Sequence, residues 1–213
     1  IGVPEALKVG VINSIPKLIA YRILRPALET EQPLRLVCKE GKLEELLGEL
    51  AVHQLDIVIS DGAIPLGFNV KAYSHSIGDS SMAFFFAKDR AKEYIKDFPQ
   101  SLHRAPMLLP TSNNPVRRSL EEWFEKNDIS PIVIAEVEDS ALMKVFGAQG
   151  VGAFLGPDVM SKEIQEMYGV SKIGVAKSVF ESYHLISPER KLKHPIVLQL
   201  IESAKENLFN GAT

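Results

Sequence analysis

The stretch 138–157 sets an amphipathic helix, two glycines, a short apolar run and a Gly-Pro turn in direct succession. Asp139 or Ser140 is suited to cap the helix, whose apolar face carries Leu142, Met143, Val145 and Phe146. Gly147 and Gly150 are expected to end it. The run 151–155 is too short and too apolar for an exposed strand, so it predicts a strand covered on both faces. Strands of that kind belong to parallel α/β sheets, where ligands bind at the carboxyl ends of the strands.

The same alternation runs through the rest of the chain. Residues 8–12, 34–39 and 55–60 read as strands, with helices at 16–28 and 43–52 between them. Pro16 suits the first turn of its helix. That β-α-β-α-β order is half of an open parallel sheet. Runs 70–76 and 81–87 add two strands. A second block offers strands at 107–109, 132–137, 172–175 and 183–187, and helices at 115–126, 158–167 and 195–209. The helix at 115–126 packs through Val116, Leu120, Trp123 and Phe124, and the last one through Ile196, Leu200, Ile201, Ala204 and Leu208. The cut between blocks falls near 87–89 and the return near 178–183, which predicts one lobe of 1–87 plus 179–213 and another of 88–178. Two crossings between two α/β lobes make a hinged molecule with a central cleft able to close on a small ligand.

Composition narrows the partners. Apolar residues at 46% and charged residues at 24% suit a packed globular core. No run of about 18 apolar residues is present, so no membrane helix is expected. A net charge of −3 argues against this segment gripping DNA itself. Cys38 is the one cysteine, so no internal disulfide can form, and a reducing cytoplasm is the expected setting. Its place in the alternating run 34–39 predicts a buried thiol.

Catalytic signatures are missing: the chain has no nucleophile elbow, P-loop, G-x-G-x-x-G or H-E-x-x-H. The five histidines are scattered without metal-ligand spacing, and nothing calls for a cofactor. What recurs is a polar residue just after a strand. Asn13 and Ser14, Lys42, Ser60 and Asp61, then Thr111, Ser112 and Asn113, then Glu138 and Asp139, and finally Gly156 after Phe154 all stand there. Helix N-termini at such places expose unpaired N–H groups that can hold an anion, while the oxygens can hold a hard cation. Each is equally a plain helix cap, worth about 0.5–2 kcal/mol. Asp61, Glu138 and Asp139 facing one cleft would need Lys42, Arg117 or a bound cation beside them. The run Phe84-Phe85-Phe86 alternates faces and predicts a strand buried on both. Trp123 and Phe124 are expected in the core, or at a dimer contact if partly exposed.

With these elements placed, the chain resembles the effector-binding region of LysR-type transcriptional regulators over essentially its whole length. The matching segments are 7–14, 55–61, 108–112, the Gly-x-Gly-x-x-Leu-Gly-Pro ending of 138–157, and His194-Pro195 before the last helix. Within that family it is most similar to regulators that activate a sodium/proton antiporter, through 55–61, 138–148, Tyr183-His184 and Glu189-Arg190. The resemblance implies two Rossmann-like lobes of the type 2 periplasmic-binding-protein-like class, with a small effector or monovalent cation in the cleft. Family effector contacts map onto Asn13, Ser14, Lys42, Asp61, Thr111, Ser112, Asn113, Phe154 and Gly156. Several members bind organic acids with a basic residue where Asp61 stands, so an acid there suits a cation-responsive member. The family also implies a cytoplasmic homodimer, paired antiparallel through the helices from Pro16 and Pro115. Its winged helix-turn-helix and linker helix have no counterpart here, so DNA contact is expected from a part outside this chain. An extracytoplasmic solute-binding protein of the same fold is the alternative, and an enzyme on that fold is a more distant one.

Overall fold

The computed structural model describes residues 5–31 and 34–209. The first three strands and two helices form as their periodicity dictates: β1 (Glu5–Ile12), α1 (Lys17–Leu24, continued by a 3-10 turn Arg25–Leu28), β2 (Leu34–Gly41), α2 (Leu43–Ala51) and β3 (Ile57–Ser60). β1 pairs in parallel with both β2 and β3, so Val9 lies between Cys38 and Ile57. Parallel neighbours need a crossover, which α1 and α2 supply. Ile19 and Ile23 of α1 and Leu46, Leu47 and Leu50 of α2 are buried, as are Val9, Val11 and the three apolar residues of β3.

Next come β4 (Tyr73–Ala87), α3 (Lys88–Ile95), β5 (Pro106–Pro110), α4 (Pro115–Lys126), β6 (Ile132–Val137), α5 (Ser140–Ala148), β7 (Phe154–Pro157), α6 (Ser161–Tyr168), β8 (Val170–Ser187) and α7 (Pro195–Ser203), which runs into a π turn Ala204–Leu208. Residue contacts divide the chain into two compact units. The first holds 5–79 and 182–209 of the described residues, and the second is Ser80–Glu181. The chain passes between them inside β4, upstream of the cut near 87–89 that the sequence suggests, and inside β8, between Glu181 and Ser182. The expected strand pairs 70–76 with 81–87, and 172–175 with 183–187, are each one continuous strand. Gly78 at φ +155° carries β4 through its midpoint without a break.

In the first unit β3 pairs antiparallel with the end of β8, closing the order β2-β1-β3-β8. In the second, β7 runs antiparallel to β4 and β5 parallel to β6. The core of this unit gathers on Phe84 and Phe86, with Leu109, Leu120, Trp123, Phe124 and Leu155 around them. Phe84 meets Trp123 at 5.4 Å between ring centres, while Phe85 on the opposite face of β4 stacks on Phe154 at 5.6 Å. All three phenylalanines are fully buried, as alternation requires of a strand covered on both sides. Trp123 and Phe124 are core residues and leave α4 with a charged outer face.

Two expectations fail. Cys38 is exposed, because β2 is the edge strand of its sheet and one of its faces stays uncovered. The helix α5 is turned over relative to its apolar pattern: Leu142, Val145 and Phe146 are exposed, and Met143, Lys144 and Gly147 are buried. Gly147 explains the rotation. A Cβ there would stand 2.0 Å from Cδ1 of Phe154, so the helix sits with its one missing side chain against that ring. Gly147 therefore lies inside the helix, and Gly150 at φ +75° ends it alone.

Candidate functional site

In the first unit five of the expected site residues stand at the carboxyl ends of β1, β2 and β3. Asn13 and Ser14 form the turn after β1, and the Asn13 amide donates to Gly41 O at 3.1 Å, extending the β1–β2 ladder by one bond. Lys42 follows β2, is exposed, and holds the cap position of α2, its carbonyl accepting from Leu46 N at 3.1 Å. Ser60 ends β3 fully buried, and its hydroxyl accepts from Gly62 N at 3.3 Å. Asp61, the next residue, accepts a hydrogen bond from the Ser14 hydroxyl at 2.6 Å. Two turns that are 47 residues apart in sequence are thereby tied side chain to side chain.

The electrostatics single out Asp61. Burial pushes its carboxyl above the usual 3.8, against the opposing pull of the Ser14 hydroxyl, its own backbone N–H and His184. Among the described residues no lysine or arginine pairs with it. His184, marked in the sequence through the family resemblance but not as a site residue, lies directly across the β3–β8 ladder from Ser60. Burial lowers its imidazole below 6.5, opposed by Asp79 and Asp61, and its Nδ1 is buried without a hydrogen-bond partner. Only the strand register reveals its place beside Ser60.

The second unit assembles its own group, mainly for local purposes. After β5, the Thr111 hydroxyl donates to Asn113 Oδ1 at 2.6 Å, Ser112 is exposed, and Asn114 caps α4 by accepting from Val116 N at 2.9 Å. Arg117 braces this turn, donating to Pro110 O at 2.6 Å and pairing with Glu136 at 2.6 Å and Glu121 at 2.7 Å. Its carboxylate partners are thus Glu121 and Glu136, not Glu138 or Asp139. Asp139 caps α5 by accepting from the amides of Ala141 and Leu142, both at 2.8 Å, while Glu138 is exposed. Phe154 is fully buried, and Gly156 packs so tightly that a Cβ would stand 2.8 Å from Ile164 Cδ1. Both serve packing within β7. Lys144 is nearly buried, its ammonium donating to Ser140 O at 3.2 Å, which the apolar pattern of α5 could not reveal.

Among the described residues no three His, Cys, Asp or Glu converge as a metal ion would require. No described helix is long and apolar enough to cross a membrane. The group at Asp61 offers one carboxylate, one hydroxyl and one imidazole, a small polar set suited to a small ligand.

Comparison with known proteins bears on the family and the fold. The sequence model of the LysR substrate binding domain matches residues 2–209. The chain is 30% identical over 204 residues to the transcriptional activator protein NhaR of Escherichia coli K12, covering 96% of this chain and 67% of that protein. In structure it resembles the reduced regulatory domain of OxyR2 from Vibrio vulnificus, with TM-score 0.69, 18% identity and 95% of each chain covered. It also resembles HinK, a LysR family transcriptional regulator from Pseudomonas aeruginosa, with TM-score 0.71 and 14% identity, covering 99% of this chain and 72% of that one. These likenesses give the fold: a mixed α/β domain of the type 2 periplasmic-binding-protein-like class, built as two units with two crossings.

Proposed function

Because the chain belongs to the LysR substrate-binding domain family, we propose that it is the effector-sensing part of a cytoplasmic transcriptional activator that controls a sodium/proton antiporter. Sodium, lithium or a small ligand is sensed through the group at Ser14 and Asp61. The observation that carries this reading is the half-buried Asp61 carboxylate, held by a hydroxyl at 2.6 Å and paired with no lysine or arginine among the described residues. A buried carboxylate without a cation beside it is unfavourable, and a bound cation relieves that cost. An organic acid would instead meet the same charge as repulsion. The solute-binding alternative is not favoured, given the activator among the relatives.

DNA contact belongs to a part of the protein outside these residues, since a net charge of −3 gives no basic footprint. The functional form is a homodimer. Exposed Tyr21 and Leu28 beside α1, and exposed Ile132, Val133, Leu142, Val145 and Phe146 on β6 and α5, supply apolar surface for it.

The test is a thermal-shift series with sodium, lithium and potassium chlorides and a panel of organic acids at fixed ionic strength. A rise selective for sodium or lithium and lost in Asp61→Asn supports the reading, because a ligand specific to the folded state raises the midpoint. A rise with a carboxylate alone overturns it.

A further inference from the structure

The end of the last helix reaches both strands through which the chain passes between its units. The turn Ala204–Leu208 is wound as a π-helix, and the Phe209 amide donates to Ala204 O at 3.1 Å, five residues back. This wider turn shifts the residue after it out of the α-helical sequence of faces. The ring of Phe209 therefore leaves the stripe of Val197, Leu200, Ile201 and Ala204 and lies over β4 and β8 instead.

On β4 it covers Gly78. A Cβ on that glycine would stand 2.2 Å from Cγ of Phe209, so the ring fills the space of the missing side chain. On β8 it stacks on Tyr183, at 5.2 Å between ring centres and 23° between planes. Gly78 stands one residue ahead of Asp79, where the first unit ends on β4, and Tyr183 one residue after Ser182, where it resumes on β8. Both contacts lie within the first unit, and both are next to a crossing. Tyr183 is fully buried and Phe209 is 9% exposed, so the three groups form one packed cluster.

We propose that Phe209 is a latch on the two crossing strands: seated, it holds Gly78 and Tyr183 in one packed arrangement, and released, it frees both strands beside their crossings at once. Proteins of two lobes change conformation through a few residues at such crossings. A ring shared by both strands makes them respond as a pair, and the π turn gives the helix end a local way to withdraw that ring without unwinding α7. Gly78 has no side chain to hold the strand by itself, and Tyr183 loses its stacking partner when the ring leaves.

The experiment is amide hydrogen exchange on this chain and on Phe209→Ala, with Leu200→Ala as a control that removes core volume from the same helix. Phe209→Leu, which keeps apolar bulk but loses the stacking, serves if the alanine variant does not fold. The latch predicts exchange about tenfold faster at residues 77–81 and 181–184 in the Phe209 variants, with β1 and β3 close to the parent. Leu200→Ala should raise exchange evenly through the first unit. An even rise in the Phe209 variants, or no rise at the crossings, overturns the proposal and leaves Phe209 as an ordinary core residue.

Discussion

The Ser14 hydroxyl donates to Asp61 Oδ2 at 2.6 Å, joining the turn after β1 to the end of β3. Neither residue is unusual alone, since both are of kinds that commonly occupy turns. Their pairing makes a half-buried carboxylate with a defined neighbour, at the ends of parallel strands where this class of fold binds its ligands.

Asp61→Asn keeps the shape and still offers Ser14 an acceptor, while removing the charge. The Asp61 carboxyl is raised above 3.8 by burial. Its favourable contribution is therefore complete below that value and is lost as pH rises through the folded value. At neutral pH the variant should be at least as stable as the parent in denaturant titrations. A clear loss of stability at neutral pH would mean that the charge itself supports the fold.

His184 gives the opposite slope. Burial lowers its imidazole below 6.5, so folding takes up fewer protons there than the unfolded chain does. Its contribution is present above 6.5 and is lost as pH falls from that value through the folded one. Unfolding midpoints measured across this window should decline on acidification, and His184→Gln should flatten the decline. An unchanged slope in the variant would assign the dependence to other groups.

Two glycines in helices should behave oppositely. A Cβ at Gly147 collides with Phe154 at 2.0 Å, so Gly147→Ala should cost about 1–3 kcal/mol as an overpacked site. Gly48 lies within α2 with nothing within 4 Å of a built Cβ. Gly48→Ala should stabilise by about 0.5–1 kcal/mol, because alanine loses less backbone entropy in a helix. Urea denaturation of both variants decides it, and equal signs would contradict the packing described for α5.

Asp139→Ala removes the acceptor for two amides at the start of α5 and should cost about 0.5–2 kcal/mol. Asp139→Ser should recover most of that loss, because a hydroxyl can also cap. If serine recovers nothing, the charge of Asp139 matters more than its cap geometry.

Phe84→Ala empties the centre of the second unit, where the ring touches Phe98, Trp123 and Phe124. The expected loss is about 3–5 kcal/mol, read by tryptophan fluorescence during denaturation, since Trp123 is the single tryptophan. A loss below about 1 kcal/mol would mean that the cluster collapses around the gap.

Much of this was legible in the residues. The β-α-β-α-β order, the burial of Phe84, Phe85 and Phe86, and the cap at Asp139 all follow from spacing and residue type. Those features depend on neighbours a few positions away, which periodicity reports directly. Strand length was less legible: β4 and β8 continue through polar stretches that read as breaks, because pairing partners supply what local pattern lacks. The face of α5 departs from its apolar pattern for a similar reason, since its orientation answers to the ring of Phe154 and not to its own stripe.

Sequence alone determined which segments become strands and helices, where polar groups follow strand ends, and which family the chain resembles. Tertiary structure alone decided that Ser14 meets Asp61, that His184 stands across from Ser60, and that Phe209 lies on Gly78 and Tyr183. The reason is physical. Hydrophobic period and capping are local free energies written into a few adjacent residues. Contacts between residues tens or more than a hundred positions apart depend instead on strand register and helix rotation, which packing of the whole unit sets.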